Sequence, residues 1–122
     1  MLVQKIEHIQ LAMPAGEENK ARKFYGEFLG ISEVPKPAIL AKKGGAWFES
    51  GDIKIHLGAD TNFVPSAKAH IAFLTQELDQ IISRGRAEGM VIVSDEGLHG
   101  YDRVYIYDPF GNRLEFMQAT GG

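Results

Sequence analysis

The chain repeats itself. The run "IEHIQLA", Ile6 to Ala12, returns about sixty residues later as "KAHIAFL", Lys68 to Leu74, and the two halves can be laid over each other element by element. Self-similarity at a fixed period marks a duplicated structural unit, so the fold must be one that a single unit can build twice. In the first half, Val3 to Met13 alternates, with Ile6, His8, Gln10 and Ala12 on one face and Glu7, Ile9, Leu11 and Met13 on the other. That period predicts a strand. "GEENKARKFYGEFLG" then sets Ala21, Phe24, Tyr25, Phe28 and Leu29 on one helical stripe, with Glu17 and Glu18 at the positive end of the dipole and Gly30 suited to a left-handed stop. "ISEV" reads as a short strand stopped by Pro35 and Pro37. "GGAWFES" and "DIKIHLG" read as two strands joined by a tight turn at Ser50 and Gly51.

The second half keeps the order. "AKAHIAFL" predicts a strand, Thr75 a helix N-cap, Leu78, Ile81 and Ile82 the apolar stripe of a helix ending near Gly89, and "MVIVS" a short strand. The polar "DEGLHG" predicts a loop, and "YDRVYIYDPFGNRLEFMQ" a hairpin turning at Asp108 to Asn112. The expectation is an α+β protein, one domain over residues 1–122 built from two βαβββ modules at about 1–62 and 63–122.

The repeat also aligns polar residues that apolar strands would not otherwise favour. His8 and His70 hold matching places in the first strands, 62 residues apart, and His56 and Glu115 nearly matching places in the last strands, 59 apart. In "DIKIHLG" the apolar Ile53, Ile55 and Leu57 face away from Lys54 and His56; in "NRLEFMQ" Leu114 and Phe116 face away from Arg113 and Glu115. Each candidate ligand therefore lies opposite the helix-packed face. Imidazole and carboxylate form a nitrogen and oxygen donor set suited to divalent iron, nickel, cobalt, manganese or zinc. Taken singly, each is an ordinary strand residue; their joint placement by the repeat is what points to a site. No close-spaced motif such as HExxH is present, so only a fold that gathers four strands could assemble it.

Composition narrows the partners. At 122 residues, 44% hydrophobic and 24% charged, the chain suits one globular core, and a net charge of −3 with dispersed Lys and Arg argues against nucleic acid. Without cysteine there is neither disulfide nor thiolate, and any metal must be held by nitrogen and oxygen. No apolar run approaches membrane-spanning length and the start lacks a leader pattern, so a cytoplasmic protein with no membrane partner is expected.

The segments "EHIQLAMP", "FYGEFLGI", "WFESGDIKIHLG", "AHIAF" and "YDPFGNRLEFMQ" resemble the glyoxalase/bleomycin resistance/extradiol dioxygenase group, the vicinal oxygen chelate superfamily, across essentially the whole chain. The resemblance implies paired βαβββ modules whose eight strands curve into an open, barrel-like cup around a divalent metal. It implies a homodimer, a small-molecule substrate, and His8, His70 and Glu115 as shared ligands, with His56 at a fourth position where the glyoxalase I branch carries glutamate. Gln10 stands two residues after His8, where that branch carries arginine, which sets the chain apart from it; the fosfomycin-resistance branch matches equally poorly outside the ligand set.

Two functions follow from the resemblance. One is a metal-dependent lyase, isomerase or dioxygenase acting on a small oxygen-rich metabolite, with Glu115 or His56 as the proton shuttle. The other is a metal-free protein that sequesters a ligand of the bleomycin sort. The retained His8, His70 and Glu115 favour the enzyme. Lys54 and Arg113, on the inward faces by parity, read either as hints of an anionic substrate or as solvated rim residues. Trp47 reads as core or as cavity wall, and His99, in a loop flanked by Gly97 and Gly100, as part of a lid or as an ordinary surface histidine.

Overall fold

The computed structural model describes residues 1–95 and 98–121. The chain forms two compact units, Met1–Val64 and Pro65–Gly122. The first contains β1 (Ile9–Met13), α1 (Glu18–Ala21) running on into a π-helical stretch (Arg22–Phe28), β2 (Glu33–Val34), α2 (Ala38–Ala41), β3 (Ala46–Ser50) and β4 (Ile53–Ala59). Its sheet has the order β1-β4-β3-β2, with β1 parallel to β4 and the other pairs antiparallel. The second unit repeats this with β5 (Ile71–Leu74), α3 (Leu78–Ala87), β6 (Ile92–Ser94), β7 (Tyr101–Tyr107) and β8 (Arg113–Ala119) in the order β5-β8-β7-β6. The eight expected strands are thus hydrogen-bonded as two open, mixed sheets of four.

In each unit one sheet face and the helix form the core. Phe48 on β3 is fully buried and meets Tyr25 of the π-helical stretch at 5.7 Å between ring centres. In the second unit Leu78 of α3 and Leu114 and Phe116 of β8 are buried. Each such side chain contributes roughly 1.5–3 kcal/mol by leaving water. Gly45 shows how tightly the first sheet is set: its φ is 84°, and a Cβ there would lie 2.0 Å from the Leu57 carbonyl oxygen, so only glycine fits.

Three local expectations are corrected. The first strand begins at Ile9, not Val3, because parallel pairing with β4 starts at Ile9 opposite Ile55. The first helix widens after Ala21, where Leu29 N–H donates to Phe24 O five residues back, and Phe24, Tyr25 and Phe28 are all buried. Thr75 does not cap α3: its hydroxyl accepts from Glu77 N–H, while Leu78 N–H at the helix start donates to the Gln118 side chain of β8 at 2.9 Å. Beyond β2, the stretch "VPKPAILAKKGG" holds the short helix α2.

Candidate functional site

β1 and β5 each open one residue after a histidine: His8 immediately precedes Ile9, and His70 precedes Ile71. Both rings therefore stand at the entrance of an edge strand, next to the last strand of their unit.

In the second unit His70 Nε2 lies 2.9 Å from Glu115 Oε1. His70 Nδ1 is 2.8 Å from the Lys68 carbonyl oxygen, which can only accept, so the proton sits on Nδ1. The lone pair of Nε2 then confronts a carboxylate oxygen, an arrangement that requires a positive centre, proton or metal cation, between them. Two bonds of about 2.1 Å meeting at a right angle leave donor atoms about 3 Å apart, so this pair fits adjacent positions on one divalent ion. The carbonyl-anchored Nδ1–H is the usual support of a ligating imidazole. The other carboxylate oxygen is taken: Arg103 Nη1–H donates to Glu115 Oε2 at 3.1 Å and to Tyr105 Oη at 2.9 Å, and Nη2 pairs with Asp95 at 3.1 Å. The hydrogen bond to Glu115 raises the pKa of the Arg103 guanidinium above its already high ordinary value. Arg113 lies over the Tyr105 ring at 4.3 Å, and its Nε and that of Arg103 are buried donors without a partner among the described residues.

The first unit builds a different constellation. His56, 4% exposed on β4, has Nε2 at 2.8 Å from Glu49 Oε2 of β3. In the neutral ring that bond puts the free lone pair on Nδ1. The imidazole lies between two other rings: Trp47 stacks on it at 3.9 Å and 4°, and His8 at 4.3 Å and 19°. His8 Nδ1 is 3.5 Å from Glu7, whose carboxylate also receives Lys54 Nζ at 2.6 Å and is held below the usual carboxylate range chiefly by that lysine.

His70 with Glu115, and His8 with His56, are therefore brought together as pairs. Among the described residues no group of three or more His, Cys, Asp or Glu side chains is arranged to hold a metal. Lys54 is engaged by Glu7. Gln10 is exposed beside His56 in the strand register, and His99 is an exposed turn residue. Gly97 lies outside the described residues. The sequence reading missed Glu49, Arg103 and Tyr105, although a hairpin register counted outward from the two turns places Trp47 opposite His56 and Tyr105 opposite Glu115.

The paired mixed sheets and the histidine and carboxylate positions define a known class. The Glyoxalase/Bleomycin resistance protein/Dioxygenase superfamily profile matches residues 5–116, and the chain belongs to that superfamily. It is similar to a glyoxalase family protein from Bacillus anthracis, with 42% identity over 98% of both chains and a TM-score of 0.92. It shares its fold with the fosfomycin resistance protein FosX of Listeria monocytogenes (19% identity, 98% of this chain, 97% of that chain, TM-score 0.79). The same holds for TnmS3, an antibiotic binding protein of a Streptomyces species (18% identity, 98% and 99% coverage, TM-score 0.74). No curated protein matches the chain. No helix among the described residues is long and apolar enough to cross a membrane.

Proposed function

We propose that the two modules work as one domain of a metal-dependent lyase, isomerase or dioxygenase acting on a small oxygen-rich, anionic metabolite. His8, His70 and Glu115 hold a divalent ion (iron, nickel, zinc, cobalt or manganese), and His56 adds a fourth nitrogen or moves a proton. The observation that carries this reading is the His70–Glu115 pair, whose geometry calls for a cation or proton between its atoms.

An ion with open positions supplies Lewis-acid polarisation of two adjacent substrate oxygens. The chain does the rest. Lys68 O fixes the His70 tautomer, and Arg103 holds Glu115 Oε2 so that Oε1 alone faces the site. A substrate proton is accepted at Glu115 Oε1 or at His56 Nδ1, the latter kept available by the Glu49 bond to Nε2. β1 and β5 are sheet edges in their units, and an unpaired edge is a template on which a second copy can pair, which supports a homodimer; the place of action is the cytoplasm. Elemental analysis of chelator-free protein tests the reading: stoichiometric metal that His70→Ala and Glu115→Gln both remove is expected. Metal unaltered by these changes, or absent from the wild type, would overturn it.

A metal-free sequestering protein is the second reading, favoured by the Trp47–His56–His8 stack, which engages both imidazoles ring on ring rather than at a shared point. It requires ligand binding to survive complete metal removal with no turnover of any bound compound.

A further inference from the structure

Beside the ring stack of the first unit lies a cavity of about 240 Å³ whose walls include Gln10, Lys36, Leu40, Lys43, Trp47 and Gly58. At about 30 Å³ per water in the liquid, that is room for about eight waters, the size of a small metabolite rather than a drug. Its position follows from the strand register: Gln10 of β1 and Trp47 of β3 flank His56 of β4 on either side, so both cavity walls are direct neighbours of the buried imidazole. Trp47 joins the two places physically, since its indole stacks on His56 and also lines the cavity.

The chemistry of the walls is specific. Trp47 and Leu40 give an apolar side, with the indole as its flat part. Lys36 and Lys43 bring two ammonium groups from the α2 segment, and among the described residues no carboxylate lines the space. Lys36 is positioned by a hydrogen bond to the Gly44 carbonyl. Glu18, which reaches Gly44, has its Oε2 engaged by the Gly45 N–H. Gly58 leaves room for the Gln10 amide: a Cβ there would lie 2.7 Å from Gln10 Nε2. The amide therefore covers β4 where any other residue would push it away.

We infer that this cavity is a binding subsite for a planar organic anion, an aromatic or unsaturated carboxylate of about ten heavy atoms. Its flat body lies against Trp47 and its carboxylate sits between Lys43, Lys36 and the Gln10 amide. This deepens the proposed function by naming a substrate class, and rests on it only for what happens to the ligand; binding here needs neither His70 nor a metal.

Trp47 is the single tryptophan, so its fluorescence and its indole N–H resonance report this cavity directly. Sodium benzoate is the probe, with benzamide as the neutral match and cyclohexanecarboxylate as the non-planar anion, all on chelator-treated full-length protein. Saturable quenching by benzoate at millimolar concentration is expected, with the indole N–H shifting in step. Binding should weaken at least about tenfold, 1.4 kcal/mol, for both substitute ligands and for Lys43→Glu. It should be unchanged in His70→Ala, which keeps this test separate from the metal reading. No saturable quenching, equal quenching by benzamide, or no loss in Lys43→Glu with a native indole resonance would overturn the subsite. So would a requirement for added metal, even though that result would favour the metal reading itself.

Discussion

The two units use one scaffold to hold opposite chemistry. In each, the last strand carries a buried polar residue and the antiparallel neighbour sets an aromatic ring directly across from it: Trp47 opposite His56, Tyr105 opposite Glu115. In each, a histidine just ahead of the edge strand reaches the same residue. There the likeness ends. In the first unit the buried residue is a base, hydrogen-bonded to an acid, Glu49; in the second it is an acid, ion-paired to a base, Arg103. The last-strand side chains of His56 and Glu115 are 5% and 7% exposed while His8 and His70 are 42% and 26% exposed, so the inner member of each pair is the anchored one. Backbone register thus fixes where a functional group stands, and the neighbouring strand decides which charge it bears.

The strongest way to break this comparison is through the shared cores. Phe116, which stacks on Phe73, and Leu57 hold repeat-related places beneath the two buried polar residues. Phe116→Ala is expected to cost about 3–5 kcal/mol and Leu57→Ala about 2–5 kcal/mol in urea unfolding followed by circular dichroism. If either change were silent, the two units would not be packed alike. The next effect falls on the partners. Arg103→Met releases Glu115 Oε2, and the expected result is a loss of about 10–100-fold in divalent-metal affinity, read by competition with a chromophoric chelator. Glu49→Gln, which keeps an acceptor for His56, should cost less than about tenfold. Tighter metal binding in Arg103→Met would mean that the arginine opposes a cation rather than positioning its ligand.

How much of this was legible in the residues is itself uneven. The duplication was readable because strand and helix periods recur in order, and with it came the matched places of His8 and His70 and of His56 and Glu115; that His8 stacks on His56 and His70 meets Glu115 was seen only in the structure. Neither Glu49 nor Arg103 could be reached by parity along one strand, because each acts across the sheet, and a register shift of one residue would turn it to the other face. The π-helical widening was hidden because Ala21, Phe24, Tyr25 and Phe28 fit an α-helical stripe equally well. The true start of β1 depends on where β4 begins to offer it hydrogen bonds, which alternation in Val3 to Ile9 does not encode.

Smaller effects sharpen the contrast at the helix ends. In the second unit a neutral amide serves: Gln118 Oε1 accepts from Leu78 N–H at the start of α3. Gln118→Ala should lose about 1 kcal/mol, as loss of an N-cap acceptor does. Gln118→Glu should recover that or exceed it at neutral pH, since a carboxylate suits a helix N-terminus.

The first unit ties its helix to the sheet with a charge instead. Glu18, first residue of α1, accepts from the Gly45 N–H at 2.8 Å, and that bond, the largest influence on it, lowers its pKa below 4.5. A depressed carboxylate contributes stability that is fully present above its unfolded value and is lost as pH falls through 4.5 toward the lower folded value. Glu18→Gln should therefore be less stable than the wild type by about 1 kcal/mol near neutral pH, with the difference shrinking under more acid conditions. Taking the difference between the two proteins cancels the parallel acid loss of the Glu7–Lys54 pair, which both retain. The cost of Gln118→Ala should stay flat over the same range, because neither an amide nor a peptide N–H titrates there. A flat Glu18→Gln difference would show that Gly45 is held by the glycine-only backbone against Leu57 alone, and that the acidic contact adds nothing to how the first unit closes.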